Sequence, residues 1–452
     1  MKTQVVIIGA GPAGLMAAIF SAQAALRRPA LSRMGIAAYK ADHAAYKAAA
    51  RTTVIEAGSS PGQKLLLTGG GRCNLTHMAE PKELVREYGD KGRFLSYGLY
   101  EFSPQDVQEF FAGLGLRTKV EKDGCVFPVS ERACDVRDVL VGRAKSLGVK
   151  FLPGSRVSSI AYENGMFLAL AGKEKIFAEK LIIATGGLSW PKTGCTGDGY
   201  CFARKLGHRI VEPRAALVPL VAREAWPGQL AGTSLENVRL SARVRNKKVS
   251  TTGAIVFTDD GIGGPAAQDM SRYLTDYLPA ERRGLAKGGP AAGNPLDISL
   301  ELVPHIEQGE LETQITGLIA ENPKKKVVNI LAEFLPKRLS VLLCRQADCD
   351  GRVTAGQLKK DMRKKLIKTF EALPLSILRT RPIDEATVTR GGVDVSQIDP
   401  KTMESKICPG LFFAGEVLDV DGPCGGYNLQ ICWSTGALSG FSAVDKIYDI
   451  KT

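Results

Sequence analysis

Apolar and polar residues alternate in blocks along the first part of the chain. A short continuous apolar run, Val5–Ile8, is followed by a glycine-rich turn and an apolar stretch from Leu15 to about Ala25. A second short run spans Thr52–Glu56. Short continuous runs are typical of buried strands, and the longer stretch has the length of a helix. This order predicts a βαβ unit.

The rest of the chain shows two further kinds of pattern. Ala178–Thr185 and Leu411–Gly415 are again short apolar runs, which predict buried strands. Between them, Val218–Phe257 alternates apolar and polar residues, as in a small antiparallel sheet or barrel. Leu311–Leu378 is charged and leucine-rich, with a mostly helical period. The middle is therefore predicted to be an insertion between two halves of one nucleotide-binding domain.

These elements predict an α/β fold. A two-part Rossmann-like dinucleotide-binding domain is interrupted by a β-barrel-like and helical inserted domain. We place the first part at residues 1–190, with an extra segment at about 27–51, the inserted domain at 191–380, and the second part at 381–452.

Composition narrows the class of protein. The 452 residues predict two or more domains, and the proportions of hydrophobic (44%) and charged (24%) residues exclude wholesale disorder. The sequence contains no run of about 18 apolar residues and no signal-peptide cleavage pattern before the first strand. We therefore expect a cytoplasmic protein without a membrane partner.

The cysteines, the histidines and the net charge bear on disulfides, metal sites and nucleic-acid partners. Ten cysteines lack any CxxC pair, and the four histidines are spread from His43 to His305, so we expect reduced thiols and no metal. The net charge of +13 suits an anionic cofactor or substrate, or simply a basic surface. Because the sequence has no RNA-binding aromatic motif and no arginine-rich tail, we expect no nucleic-acid partner.

The first glycine-rich turn, Gly9–Gly14, has the GxGxxG spacing between a strand and a helix. Such glycines permit a tight turn, backbone approach to a pyrophosphate and close helix–strand packing, while the helix N-terminus attracts phosphate. Glu56 ends the second strand, where an acid can bind ribose hydroxyls. It lies 42 positions after Gly14, against a usual spacing of about 20. We interpret the surplus as a solvated helical insertion.

Three later motifs add to this prediction. Gly69–Gly71 imply a loop with close backbone approach, with Arg72 and Asn74 at its exit suited to hold phosphate or a flavin edge. Thr185 begins a second glycine turn. The third motif, 414–430, predicts a helix starting near Tyr427, whose dipole would stabilise negative charge on a reduced flavin.

Together these motifs resemble the family of bacterial NAD(P)/FAD-dependent oxidoreductases that includes the bile-acid 4,6-reductase BaiN and aminoacetone oxidase. The resemblance rests on GAGPAGLMAAI, KLLLTGGGRCNLT, LIIATGGLSWPKTGCTGDGY, VTRGGVDV and FAGEVLDVDG with GGYNLQ, which span nearly the whole chain. The sequence departs from the family before Glu56, at Pro423-Cys424 and at Ile431-Cys432. The last two departures lie near the expected flavin ring.

The resemblance implies FAD as the cofactor and a set of residues that bind it. This set comprises Gly9, Ala10, Gly11, Pro12, Ala13, Gly14, Glu56, Lys64, Gly70, Gly71, Arg72, Cys73, Asn74, Thr185, Gly186, Gly415, Glu416, Gly425, Gly426, Tyr427, Asn428 and Leu429. Tyr427 and Asn428 are also candidates for the catalytic proton donor. Cys424 and Cys432 flank the predicted helix start, where inert thiols are expected rather than a redox pair.

The resemblance favours reduction of a conjugated C=C bond in a 3-oxo steroid or bile-acid intermediate, by hydride from flavin N5. NAD(P)H would be a transient reductant, because no second GxGxxG follows a strand elsewhere. An amine oxidase that produces peroxide is one alternative. A flavin redox sensor or RNA-associated factor without catalytic activity is another.

Overall fold

The computed structural model describes residues 1–26, 51–279, 294–307 and 309–449. The strands in these residues are β1 (Lys2–Ile8), β2 (Thr52–Ile55), β3 (Thr76–His77), β4 (Thr118–Val120), β5 (Cys125–Pro128), β6 (Lys150–Leu152), β7 (Val157–Glu163), β8 (Met166–Ala171), β9 (Glu174–Ile183), β10 (Ile210–Ala216), β11 (Leu220–Ala222), β12 (Ser234–Val244), β13 (Lys247–Thr258), β14 (Gly261–Gly263), β15 (Leu296–Glu301), β16 (Leu373–Thr380), β17 (Val388–Val393) and β18 (Leu411–Phe413). The helices are α1 (Pro12–Leu26), α2 (Pro81–Glu87), α3 (Gly92–Glu101), α4 (Pro104–Gly113), α5 (Ala133–Ser146), α6 (Asp198–Lys205), α7 (Pro265–Leu274), α8 (Glu310–Glu321), α9 (Val327–Leu331), α10 (Lys337–Gln346), α11 (Lys360–Glu371) and α12 (Tyr427–Asp449).

The chain divides into two units. Unit 1 contains residues 1–214 and 388–452, and unit 2 contains residues 215–387. The sequence places these boundaries at 190 and 380. The first one lies later in the structure because β10 pairs with β17, a contact between distant parts of the chain. The predicted extra segment, about 27–51, lies outside the described residues except for Arg51.

A seven-stranded sheet forms the centre of unit 1, with the order β6-β2-β1-β9-β8-β7 and β18 beside β9. Strands β6, β2, β1, β9 and β18 run parallel, whereas β8 pairs antiparallel with both β9 and β7. Both β8 and β18 pair with β9, β8 along its first half and β18 along Leu181–Ile183. The carboxyl ends of β1, β2, β9 and β18 therefore meet at one edge, where doubly wound folds bind ligands.

Helices α1 and α12 pack against each other beside this sheet. Leu15, Met16 and Phe20 of α1 are fully buried, as expected of a helix that is apolar on all sides. Close approach depends on small residues: a Cβ atom at Gly436 would lie 2.5 Å from the carbonyl oxygen of Ala13, and one at Gly440 would lie 2.3 Å from that of Ala17. The two ends of the sequence thus share one core.

Unit 2 has a closed barrel in the order β11-β14-β13-β12-β15-β16, together with helices α7–α11. The alternating pattern of Val218–Phe257 corresponds to β11–β13 of this barrel. The helical prediction for Leu311–Leu378 is wrong at its end, since Leu373–Thr380 form strand β16. This segment alternates buried and partly exposed residues and pairs with β11 and β15. No helix in the described part of the chain is long and apolar enough to cross a membrane.

Candidate active site

The glycines of the turn between β1 and α1 have two different roles: some are required by packing, and one borders open space. A Cβ atom at Gly9 would lie 2.4 Å from the carbonyl oxygen of Ala184, and one at Gly14 would lie 1.9 Å from that of Gly9. Packing within the protein therefore requires both glycines. A Cβ atom at Gly11 would meet no protein atom within 4 Å. Gly11 thus borders the space through which a pyrophosphate would approach the N-terminus of α1.

Glu56 lies directly against this turn. Its carboxylate accepts hydrogen bonds from the backbone N–H groups of Ala10, at 2.8 Å, and Gly58, at 2.7 Å. The two contacts fix the carboxylate at the end of β2. A carboxylate oxygen can accept more than one hydrogen bond, so ribose hydroxyls remain suitable partners.

The turn after β9 packs in the same area. The side chain of Thr185 faces α6, since a Cβ atom at Gly199 would lie 2.1 Å from its hydroxyl oxygen. A Cβ atom at Gly186 would lie 2.8 Å from the sulfur of Cys195. Both predicted residues therefore lie at the carboxyl edge of the sheet, where the protein holds them close to the start of α6.

The loop after Lys64 contains three consecutive left-handed glycines. Gly69, Gly70 and Gly71 have φ angles of +57°, +67° and +89°, which other residues adopt only with strain. Gly70 would place a Cβ atom in open space, more than 4 Å from any protein atom. The loop can therefore present its backbone to a ligand at close range.

At the exit of this loop, Arg72 and Cys73 have partners in the protein. The Arg72 guanidinium forms an ion pair with Glu121 at 2.8 Å and stacks over the Phe127 ring at 3.9 Å. Burial raises the pKa of the Cys73 thiol to about 12, so it is not a nucleophile at neutral pH. Arg72 therefore shapes the loop through protein contacts, and any phosphate contact would be additional.

Lys64 and Glu416 form a largely buried ion pair across 352 positions of sequence. The Lys64 ammonium donates to the Glu416 carboxylate and to the Ser189 hydroxyl, each at 2.6 Å. The same carboxylate accepts from the Ser189 hydroxyl at 2.8 Å and from the Thr389 backbone N–H at 2.9 Å. This network ties four separate segments of unit 1 together.

Electrostatics strengthen the pair. Burial is the largest single influence and would lower the pKa of the Lys64 ammonium, but the charge and hydrogen bond of the Glu416 carboxylate, together with Cys195 and Cys432, raise that pKa above its ordinary value. The ammonium therefore stays charged throughout the neutral range. Such a fixed positive charge suits an anionic cofactor. In the structure, the ammonium donates its hydrogen bonds to Ser189 and Glu416.

The start of α12 lies against the loop that follows Lys64. Gly426 is so close to β3 that a Cβ atom there would lie 2.4 Å from the carbonyl carbon of Thr76 and 2.7 Å from the Asn74 side chain. A Cβ atom at Gly415 would lie 2.7 Å from that of Ala13, next to the first glycine turn. Predicted residues of the last motif thus lie against predicted residues of the first glycine turn and of the loop after Lys64.

The two candidate proton donors have different surroundings. The Asn428 amide donates to the carbonyl oxygens of Gly422, at 2.9 Å, and Pro423, at 3.2 Å, and accepts from the Gly422 N–H. This side chain holds the preceding turn. The Tyr427 ring instead stacks on the His77 ring, with centroids 4.9 Å apart.

His77 and Tyr200 were missed by the sequence analysis. Among the described residues, the buried His77 Nδ1 and Tyr200 hydroxyl have no hydrogen-bond partner. His77 Nδ1 would lie 3.6 Å from a Cβ atom at Gly425. Burial raises the pKa of Tyr200, with a further contribution from Glu416. Unpaired buried polar groups are costly, so their presence beside the predicted site fits a region that binds a polar ligand.

Two buried carboxylates after β18 were also missed. Asp419 pairs with Lys91, and Asp421 pairs with Arg390 at 3.0 Å. Burial raises the pKa of Asp419, and Lys91 partly offsets that effect. The sequence indicates these two carboxylates only through the acidic composition of the turn, because their cationic partners are distant in sequence.

None of the ten cysteines, all of which lie in the described part of the chain, forms a disulfide. Burial raises the pKa of the Cys432 thiol to about 12, which disfavours the reactive thiolate. No group of three or more potential metal ligands occurs within the described part of the chain.

These observations agree with FAD as the group that unit 1 holds. Gly11 and Gly70 leave the backbone open to close approach, Glu56 is placed for a ribose, and the left-handed turn at Gly425 and Gly426 leads into the N-terminus of α12. The fold and this donor set define an FAD-dependent oxidoreductase with a Rossmann-type domain.

Residues 33–442 match the family described as HI0933-like protein Rossmann domain, and the chain belongs to this family. It is 29% identical to the 3-dehydro-bile acid delta(4,6)-reductase of Clostridium scindens, over 97% of this chain and 98% of that protein. It is 31% identical to the ribosomal RNA dihydrouridine synthase of Escherichia coli, over 95% of each chain.

A solved structure of 3-ketosteroid delta1-dehydrogenase from Sterolibacterium denitrificans shares the fold. Its TM-score is 0.51 at 11% identity, over 98% of this chain and 100% of that chain. The likeness concerns the fold alone. The match of residues 33–442 confirms the family expected from the sequence, and the α/β architecture expected from the sequence is also confirmed.

Proposed function

We propose that the protein reduces a carbon–carbon double bond conjugated to a carbonyl group, with NAD(P)H as the source of electrons. The observation that carries this proposal is the agreement between two relatives that match nearly the whole chain. One is named as a delta(4,6)-reductase of a 3-dehydro-bile acid, and the other as a synthase of dihydrouridine. Dihydrouridine differs from uridine by two hydrogens on a C=C bond next to a carbonyl, so both names describe the same class of reduction.

When bound, FAD supplies the hydride from N5 to the far carbon of the double bond. The residues of the chain hold and orient the reactants. Gly9–Gly14 and the N-terminus of α1 bind the pyrophosphate, and Glu56 binds a ribose. The N-terminus of α12, at Tyr427, stabilises negative charge near the flavin.

The proton that completes the reduction needs a donor at the other carbon of the double bond. We favour Tyr427 over Asn428, because the Asn428 amide already holds the 422–423 turn. Tyr427 is stacked against His77, which fixes the plane of its ring. General acid catalysis by a positioned side chain typically contributes about 10²–10⁴-fold to a rate.

Two substrates fit this reaction class. The first is a 3-oxo steroid or bile-acid intermediate, supported by the name of the Clostridium scindens relative. The second is a uridine of ribosomal RNA, supported by the Escherichia coli relative and by the net charge of +13. Polyanionic substrates favour a strongly basic protein more than a single steroid carboxylate does.

The first experiment mixes the purified yellow protein anaerobically with NADH, then NADPH, and follows the visible absorbance of the flavin. Fast bleaching by either nucleotide is expected. The reduced protein is then offered a 3-oxo-4,6-diene bile acid in one sample and an unmodified ribosomal RNA transcript in another. Return of the yellow colour identifies the acceptor. Persistent colour with both nucleotides would reject the proposal, and bleaching by aminoacetone, followed by peroxide formation when air is admitted, would identify an amine oxidase.

A further inference from the structure

Positive charge is concentrated in one part of unit 2. Residues 324–368, called here the basic segment, contain 13 lysines and arginines against four acidic residues. This excess of nine charges compares with a net charge of +13 for the whole chain. The segment covers α9, α10 and the first three quarters of α11.

The basic segment separates apolar from charged residues. Leu339, Leu343 and Leu366 are buried in the core of unit 2. Most of its cations are exposed: Lys324, Lys326, Lys337, Arg338, Arg345, Arg352, Lys359, Lys360, Lys364, Lys365 and Lys368. In the described residues, ion pairs are formed by three of the segment's cations: Lys325 with Glu333, Arg352 with Asp350 and Lys365 with Asp348. Most of the positive charge is therefore directed to solvent.

The stability of the helices does not explain this arrangement. Lys360, Lys364 and Lys368 follow each other at intervals of four on α11, and like charges at that spacing destabilise a helix. Lys337 and Arg338 occupy the first turn of α10, where the helix dipole disfavours cations. Residues that act against the fold at several positions point to a binding role.

The types of side chain exposed on the basic segment indicate which kind of anionic partner it suits. Val341, at 36% exposure, is the one large apolar side chain of the basic segment that is exposed. Membrane-surface helices need an exposed apolar face that enters the lipid, and here the apolar face lies in the core. The aromatic residues of α9–α11 and their connections, Phe334 and Phe370, pack within the core, so the segment has no exposed ring for stacking on bases.

We propose that the basic segment docks the sugar–phosphate backbone of a folded RNA. This inference rests on the proposed function, because it supplies a binding surface for the RNA substrate class. Phosphate contacts provide affinity and orientation without reading sequence. The segment therefore binds RNA independently of its base sequence, and the choice of uridine is made elsewhere.

The test measures binding of the FAD-loaded protein to a fluorescein-labelled RNA hairpin of mixed sequence by fluorescence anisotropy. The variant Lys364→Glu, Lys365→Glu, Lys368→Glu is compared with the control Lys122→Glu, Lys145→Glu, Lys173→Glu, which makes the same charge change at exposed positions of unit 1. We expect the first variant to weaken binding at least about 30-fold and to lower the salt slope by about three. The control should change affinity less than about threefold.

Equal losses in both variants would overturn the docking surface, since only total charge would matter. Binding to phosphatidylserine vesicles but not to the hairpin would overturn it in favour of a membrane. If the glutamate variant does not fold, as judged by circular dichroism, the three lysines are changed to glutamine and the same comparison applies. Flavin bleaching by NADH and by NADPH is measured on every variant. RNA binding that depends on the segment, in a protein that neither nucleotide bleaches, would reject the proposed function and leave this inference standing.

Discussion

The dinucleotide-binding region of unit 1 and the basic segment of unit 2 differ in how much each single residue matters. In unit 1, the space available to a single atom limits which residue is tolerated. A Cβ atom at Gly14 would lie 1.9 Å from a carbonyl oxygen. In the basic segment, many exposed cations act together, and each can be replaced without disturbing the core. Constrained backbone close to a ligand makes effects large and local, whereas screened surface charge makes them small and additive.

The largest effects are expected at the first glycine turn. Gly14→Val should prevent folding, because its side chain would overlap the Gly9 backbone, where relaxation is costly. Gly11→Val should fold but purify without flavin, because its side chain meets only the path of the pyrophosphate. Yield, circular dichroism and flavin absorbance separate the two outcomes.

The matched control for Gly11→Val is Gly142→Val, on the exposed side of α5, where a Cβ atom also meets no protein atom. This variant should keep its flavin. A Gly11→Val protein that is purified yellow at full occupancy would show that the pyrophosphate lies elsewhere.

The next largest effect concerns the buried ion pair. Glu416→Gln should lower the free energy of unfolding by about 1–3 kcal/mol, because it leaves the largely buried Lys64 ammonium without its counter-ion. Urea denaturation measures the change. Glu301→Gln, which breaks a half-exposed pair with Arg239 in unit 2, should cost only about 0.2–1 kcal/mol. Similar losses at both sites would contradict the contrast between a buried and a screened pair.

The same pair predicts a dependence on alkaline pH. Because the folded pKa of Lys64 is raised, the pair contributes fully below the ordinary lysine value of 10.5 and is lost as pH rises through the folded pKa. The difference in unfolding free energy between the wild type and Lys64→Met should therefore be constant near neutrality and shrink at high pH. A difference that grows at high pH would show that the pKa is lowered.

A smaller effect is expected at His77. His77→Phe keeps a ring to stack on Tyr427 but removes the unpaired Nδ1, so the protein should fold and bind FAD less tightly. His77→Asn places a polar atom near the position of Nδ1 and should restore part of the affinity. Flavin release on dilution measures both. Identical behaviour of the two variants would show that Nδ1 has no contact with the cofactor.

The smallest effect belongs to one lysine of the basic segment. Lys364→Gln should weaken RNA binding several-fold and lower the salt slope by about one. It should also stabilise the protein slightly, because it removes like-charge pairs with Lys360 and Lys368. Fluorescence anisotropy measures the loss of RNA binding, and thermal unfolding measures the gain in stability. A variant that binds RNA normally and melts earlier would make Lys364 a structural residue.

Local patterns were sufficient to predict the elements around the glycine turns. The run Val5–Ile8 is part of β1, the stretch from Leu15 lies in α1, and α12 begins at Tyr427, as expected. Strand β16 was hidden in a leucine-rich, charged stretch, because its short alternation was outweighed by the helical period before it. The expectation of no nucleic-acid partner stays a prediction; it considered total charge and motifs, and not where the charge lies in the fold.

The sequence by itself determined which residues can form a dinucleotide turn, because glycine spacing, strand and helix are all encoded within a few residues. Only the tertiary structure paired Lys64 with Glu416, left His77 Nδ1 without a partner and buried Asp419 beside Lys91. These features depend on contacts between segments hundreds of positions apart. Burial and pairing then set the pKa values, and neither can be read from residue type alone.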